Sequence, residues 1–171
     1  MELIDTYDKD GNHAGVMDKF VAIETLQRFK CVHVWIINSK GEVLVQKRSA
    51  NKRSHPNEWD VSVGGFILAG EEILDACVRE VFEELGINLT KEKFVFQCAI
   101  QKTKGLIPYL FLVKQDIEIK DMKLQTCEVS QVKWLSFKDF EKFFASREFV
   151  PHSEYYRSTV LGFIKRGVQG L

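Results

Sequence analysis

The sequence predicts an α/β domain in which a mixed β-sheet is sandwiched between α-helices. Three observations point there. The 171 residues match one domain of ordinary size. Segments with a hydrophobic period of two alternate irregularly with segments of helical period, the pattern of a sheet covered by helices. Apolar residues make up 45% of the chain, enough for one real core, and charged residues make up 28%, enough for a wetted surface. A single domain is expected over 1–171, with residues 1 to about 28 forming an N-terminal strand and hairpin extension.

The elements follow in order. Leu3 to Tyr7 reads as a short strand, closed by the turn signal Asp8-Lys9-Asp10-Gly11-Asn12. Asp18 to Gln27 reads as a loop with one or two helical turns. Phe29 to Asn38, rich in aromatic and β-branched residues, is a central strand. Ser39-Lys40-Gly41 turns it, and Glu42 to Lys47 returns as the second arm of a hairpin. Residues 49–58 are a polar loop containing Pro56. Trp59 to Val63 is a further short strand. From Glu71 to Leu85 the period changes: Ile73, Leu74, Cys77, Val78, Val81, Phe82 and Leu85 recur at three and four, one stripe of an amphipathic helix ended by Gly86. Strands are expected at about 93–102, 108–114 and 131–135. Helices are expected from about Ser136 to Ala145 and, after Pro151, from about Ser153 to Lys165.

Charge and cysteine usage narrow the function classes. Basic and acidic residues both number 24, so the formal net charge is zero. Without a basic excess the chain is not expected to bind nucleic-acid polymers or anionic membranes. No apolar run approaches the roughly 20 residues of a membrane span. The acidic start MELIDTYDKDG has no apolar core of a secretory signal, so a cytoplasmic protein is expected. The four cysteines form no C-x-x-C pair and read as small buried hydrophobes in a reducing compartment.

Chemistry concentrates on the polar side of the 71–85 helix. Glu71, Glu72, Asp75, Glu80, Glu83 and Glu84 face a single base, Arg79. Glu80, Glu83 and Glu84 are related by i, i+3 and i, i+4, so they project within a sector of roughly 100°. Carboxylates this close repel unless they are protonated, solvated or joined by a cation. Hard oxygen donors at this spacing suit Mg²⁺ or Mn²⁺. The helix is entered through Gly64-Gly65 and Ala69-Gly70, where glycine permits close backbone approach. Arg79 is expected to pair with Glu71 and brace that loop.

Residues 65–87, GFILAGEEILDACVREVFEELGI, fit the pattern G-x5-E-x7-R-E-U-x-E-E-x-G-U, with U aliphatic, at every defined position. A chance match is on the order of one in a hundred million. The segment resembles the Nudix box. That resemblance implies a Nudix fold, with the box as a loop–helix–loop at 65–87. It implies a divalent-metal-dependent hydrolase that cleaves a diphosphate (pyrophosphate) bond in a nucleoside diphosphate derivative or similar small molecule. Carried over by position, Glu80, Glu83 and Glu84 would bind Mg²⁺ or Mn²⁺, with the Gly64 carbonyl as a further ligand. Gly65, Glu71, Arg79 and Gly86 would support the site. The general base would be Glu83 or Glu128. Dimers are common in the family, which allows a homodimer here.

The stretches Glu2-Leu3-Ile4-Asp5, His33-Val34-Trp35-Ile36, Gln46-Lys47-Arg48-Ser49, Asn51-Lys52-Arg53 and His55-Pro56 are similar to the Nudix branch of type 1 isopentenyl-diphosphate isomerase and its hydrolase relatives. By position, Arg48 and Lys52 would contact substrate phosphate. Isomerisation needs an acid and a base on opposite faces of the substrate, a Cys and a Glu in that family. Here Gly64 stands at the cysteine position, and residues 101–113 contain no carboxylate. A non-catalytic nucleotide-sensing Nudix domain is the third reading, but such domains usually lose box glutamates and this chain keeps them. Outside the box, His33 reads as a satisfied core histidine, His55 as a loop residue before Pro56, and Trp35, Trp59, Trp134 and Phe111 as core. The segment Phe149-Val150-Pro151-His152 with Tyr155-Tyr156 is expected to cover one side of the pocket.

Overall fold

The structure, a computed structural model, describes residues 1–102 and 105–170. Its elements are β1 (Leu3–Tyr7), β2 (His13–Asp18), α1 (Lys19–Glu24), β3 (Arg28–Ile37), β4 (Glu42–Arg48), β5 (Trp59–Asp60), β6 (Val63–Phe66), α2 (Ile73–Leu85), β7 (Val95–Ala99), β8 (Leu106–Lys114), β9 (Val129–Ser136), α3 (Phe137–Phe144) and α4 (Glu154–Gln169). The sheet is mixed. β3 runs parallel to β8 from Phe29↔Leu106 to Ile37↔Lys114, and antiparallel to β1, β4 and β6.

β3 is covered on both faces, which is why its sequence is nearly continuous in apolar residues. Val32, Val34 and Ile36 pack under α2 with Ala76, Cys77, Val81 and Leu85. Trp35 and Ile37 face the other way, against Phe140, Phe144, Tyr156, Val160 and Phe163 of α3 and α4. Side-chain caps start three of the helices: Asp18 accepts from the Phe20 N–H, Ser136 from the Asp139 N–H, and Ser153 from the Tyr156 N–H.

Two local features open the sheet. β3 and β4 pair only at Ile37↔Val43, beside their turn, and then diverge. The stretch expected as one strand, Trp59 to Val63, is broken: β5 pairs with β4, and β6 pairs with β3. Fully buried Ser62 sits at the switch. Its hydroxyl accepts from the Ile36 N–H at 2.9 Å and donates to the Leu44 carbonyl at 2.6 Å, satisfying backbone groups that the divergence leaves without ladder partners. The mouth of this wedge is where α2 presents its acids.

β2 is the second arm of a hairpin in the N-terminal extension; it pairs antiparallel with β1 from Leu3↔Asp18 to Tyr7↔His13. Phe82 leaves the expected apolar stripe and is 52% exposed, because it lies a quarter-turn from Val81. Cys31 and Cys77 are buried as expected, but Cys127 is exposed. No helix among the described residues is long and apolar enough to cross a membrane.

Candidate active site

Gly65 lies opposite Val32 in the β3–β6 ladder, directly over α2. A Cβ there would overlap the Glu80 carboxylate, so only glycine lets this acid reach the strand. Gly64, opposite His33, donates its N–H to Glu84 Oε2 at 3.4 Å. Glu84 is only 5% exposed although its side chain is acidic and on the helix. The periodicity explains this: Glu84 is one turn from Glu80 and next to Leu85, at the margin of the buried stripe. Burial pushes its carboxyl up to about 8, with the charge of Glu80 acting in the same sense, against hydrogen bonding and Lys52. Burial likewise pushes Glu80 up to about 7, against Arg79. Two carboxyls raised this far mark a site short of positive charge.

Arg79 supplies part of that charge. It grips Glu71 with two bonds of 2.8 Å, donates to the Phe66 carbonyl at 2.9 Å, and reaches Glu80 at 2.7 Å and Glu83 at 3.1 Å. Glu71 in turn accepts the Leu68 N–H at 2.9 Å, so one guanidinium ties the 65–71 loop to the helix. Burial opposes ionisation of Glu71, but these hydrogen bonds outweigh it and hold its carboxyl below the usual value. Gly86 closes the helix at φ 68°, where a Cβ would stand 2.6 Å from the Lys123 Cβ.

The three box glutamates do not form a ready-made cage. Among the described residues no group of three metal-ligating side chains stands close enough to hold an ion as it is. Glu80 and Glu84 flank Gly64-Gly65, while Glu83 is the exposed member and turns to Arg79. The donor chemistry nevertheless fits Mg²⁺ or Mn²⁺: the acids are oxygen donors, and two of them are buried with too little positive charge. Gln46 reinforces this. It is 3% exposed, its amide N–H₂ donates to Glu84 Oε2 at 3.0 Å, and its Oε1 has no partner among the described residues. Sequence reading gave Gln46 no role. The available signal was an amide directly after the apolar run Val43-Leu44-Val45.

The cations expected on substrate phosphate are placed differently. Arg48 makes its hydrogen bonds to its own loop and to Asp60, and none to the box glutamates among the described residues. Its guanidinium donates to the Ser54 carbonyl at 2.9 Å, the His55 carbonyl at 3.1 Å and Asp60 at 3.0 Å, and so shapes the 49–58 loop. Lys52 pairs with Glu128 and lies near enough to Glu84 to favour its ionised form. Glu128 is thus brought beside the site. Its carbonyl also accepts from the Ser49 N–H at 2.9 Å.

Behind Gly64 lies a buried polar cluster that joins His33 to Tyr156 and His152, both from the segment expected to cover the pocket. The His33 Nδ1 and the Tyr156 hydroxyl share a 2.5 Å hydrogen bond. His152 stacks on Tyr156 at 4.3 Å and accepts from Lys102 Nζ at 2.9 Å. Burial and then Lys102 push His152 down to about 2, so it is neutral. His55 pairs with Glu58 at 3.0 Å, in the loop. Trp35 and Trp59 are core, as expected. Tyr156 and His152 are buried, whereas Tyr155 is exposed. A cleft of about 350 Å³ lies away from the carboxylates, between Glu58, Phe144, Arg147, Pro151 and Arg157.

Residues 27–154 match the family model of the NUDIX domain. An uncharacterised Nudix hydrolase of Listeria innocua is 40% identical over 125 residues, covering 71% of each chain. Isopentenyl-diphosphate Delta-isomerase of Citrobacter koseri is 36% identical over 87 residues, covering 48% of this chain and 46% of its own. Among solved structures, one from Deinococcus radiodurans superposes with TM-score 0.74 at 22% identity, over 96% of this chain and 98% of that one. A bifunctional NMN adenylyltransferase/ADP ribose pyrophosphatase of Francisella tularensis, complexed with AMP and a Mn ion, superposes with TM-score 0.58 at 20% identity, over 82% of this chain and 42% of that one.

Proposed function

This chain belongs to the Nudix hydrolase family, and on that premise we propose that it cleaves the P–O–P bridge of a nucleoside diphosphate derivative or similar diphosphate, using Mg²⁺ or Mn²⁺. The observation that carries the proposal is the pair of buried acids, Glu80 and Glu84, held against Gly64-Gly65 with raised pKa values and too little positive charge around them. Glu80, Glu83, Glu84 and the Gly64 carbonyl would hold the metal. When bound, a divalent ion neutralises diphosphate charge and lowers the pKa of a coordinated water.

The protein's own residues set the stage for that chemistry. Arg79 and Glu71 fix the loop that carries Gly64-Gly65, so the donors are ordered before substrate arrives. Gln46 orients the Glu84 carboxylate. Lys52 stands between Glu84 and Glu128, where a phosphoryl oxygen can be met by a cation. Glu83 and Glu128 are the two candidate bases. The reading carries with it a small-molecule substrate, no nucleic-acid polymer and a cytoplasmic setting.

Isomerisation of isopentenyl diphosphate has less support despite the partial similarity. Gly64 cannot donate a proton, and the sequence 101–113, of which Thr103 and Lys104 lie outside the described residues, contains no acid. The test is turnover of nucleotide sugars, dinucleotides, ADP-ribose, nucleoside triphosphates and isoprenoid diphosphates with Mg²⁺ or Mn²⁺, beside Glu84→Gln. Hydrolysis of at least one diphosphate, lost by about a hundredfold or more in the variant, is expected. Deuterium uptake into isopentenyl diphosphate without hydrolysis would overturn the proposal. The pH–rate profiles of Glu83→Gln and Glu128→Gln identify the base, whose removal abolishes the acidic limb.

A further inference from the structure

A second set of side chains rims the carboxylates, outside every role assigned above. Phe66 follows Gly65 on β6. Lys19, at the start of α1, places its ammonium 5.3 Å from the centroid of Phe66 and 5.2 Å from that of Phe20. Above Phe20, 4.0 Å from its centroid, lies the guanidinium of Arg53. Arg53 adjoins Lys52, whose charge acts on Glu84. Lys19 is paired with Glu2 at 2.5 Å, and the charge of Glu2 acts on Glu80. The N-terminal extension and the 49–58 loop therefore meet at the mouth of the site, through one stacked pair.

The pair has an asymmetry. Of the cations on this rim, Lys19 is matched by Glu2 and Lys52 by Glu128. Arg53 is exposed, and among the described residues it has no hydrogen bond and no carboxylate partner. Stacking engages the π-face of a guanidinium and leaves its in-plane N–H fork free. It also restricts a long side chain in advance, so less freedom is lost when the fork binds. Phe20, 37% exposed, is a ring left at the surface where this stack is its cover. A fork of donors fixed beside a metal-binding site matches two oxygens of a phosphoryl group.

We propose that Arg53, held over Phe20, grips the non-bridging oxygens of the substrate diphosphate, with Phe20 as its positioning residue. It rests on the diphosphate reading above, and its test separates the two. The probe is methylenediphosphonate, whose P–C–P bridge is not hydrolysed, titrated by calorimetry into the full chain with Mg²⁺. Arg53→Met is expected to weaken binding by about tenfold or more, and Arg53→Lys to recover only part of the loss because it lacks the fork. Phe20→Leu is expected to weaken binding by about threefold when Arg53 is present and to have no effect beside Arg53→Met. Both side chains are exposed, so thermal midpoints should stay within a few degrees. Binding within twofold of wild type in Arg53→Met, absence of binding by the wild type, or independent effects of the two substitutions would overturn the proposal. A wild type that hydrolyses no diphosphate while Arg53→Met still weakens the probe would instead defeat the functional reading alone.

Discussion

Raising the pH without divalent metal should destabilise this protein through Glu84, and metal should restore what is lost. Glu84 moves from an ordinary 4.5 to about 8 in the folded chain, and Glu80 from 4.5 to about 7. A carboxyl whose folded value is the higher one holds its proton more tightly in the native state. Between about pH 4.5 and 8 the native state therefore binds more protons than the unfolded one, and stability falls as pH rises. Buried neutral His33 and His152, pushed down by burial, act in the opposite sense below about pH 6.5. The measurement is therefore a difference between wild type and Glu84→Gln, in which the histidines cancel. At about 1.4 kcal/mol per pH unit the Glu84 shift corresponds to several kcal/mol. The charge of Glu80 is one of its causes, so the contributions overlap, and a change of about 3 kcal/mol is expected between pH 5 and 9. Urea unfolding in chelator should show Glu84→Gln gaining on wild type by that amount as pH rises. Saturating Mg²⁺ should then favour the wild type, since ions bind the deprotonated carboxylates. A stability difference that does not depend on pH would refute the argument.

Three further outcomes follow from the same geometry. Gly65→Ala drives a methyl into the Glu80 carboxylate; kcat/KM should fall by about a hundredfold or more and stability by about 2 kcal/mol in urea unfolding. Arg79→Lys loses the two-bond grip on Glu71, so turnover should fall by about tenfold or more while far-UV circular dichroism stays unchanged. Arg48→Met frees the Ser54 and His55 carbonyls; faster proteolytic cleavage within 49–58 and a stability loss of about 1–3 kcal/mol are expected.

The elements legible in the sequence are those whose signals are local. The helix from Ile73 to Leu85, its glycine stop at Gly86, the hairpin at Ser39-Lys40-Gly41 and the central strand each declare themselves through period or turn chemistry within a dozen residues. The bounds of β2, the second arm of the N-terminal hairpin, are not legible this way, because His13-Ala14-Gly15-Val16-Met17-Asp18 is a partly exposed edge strand with a glycine in it and lacks strong alternation.

By itself the sequence determined which side chains cluster along one helix and which glycines flank it, since both depend only on spacing along the chain. Tertiary structure decided their electrostatic state. Glu84 becomes a buried acid because the wedge between β3 and β4 closes over it with Gln46 and Gly64, partners 38 and 20 residues away. Arg48 is drawn to its own loop by Asp60, and Arg53 is set over Phe20 by an extension that meets it only once the sheet has formed. Desolvation and pairing arise from contacts across the fold, which no local pattern records.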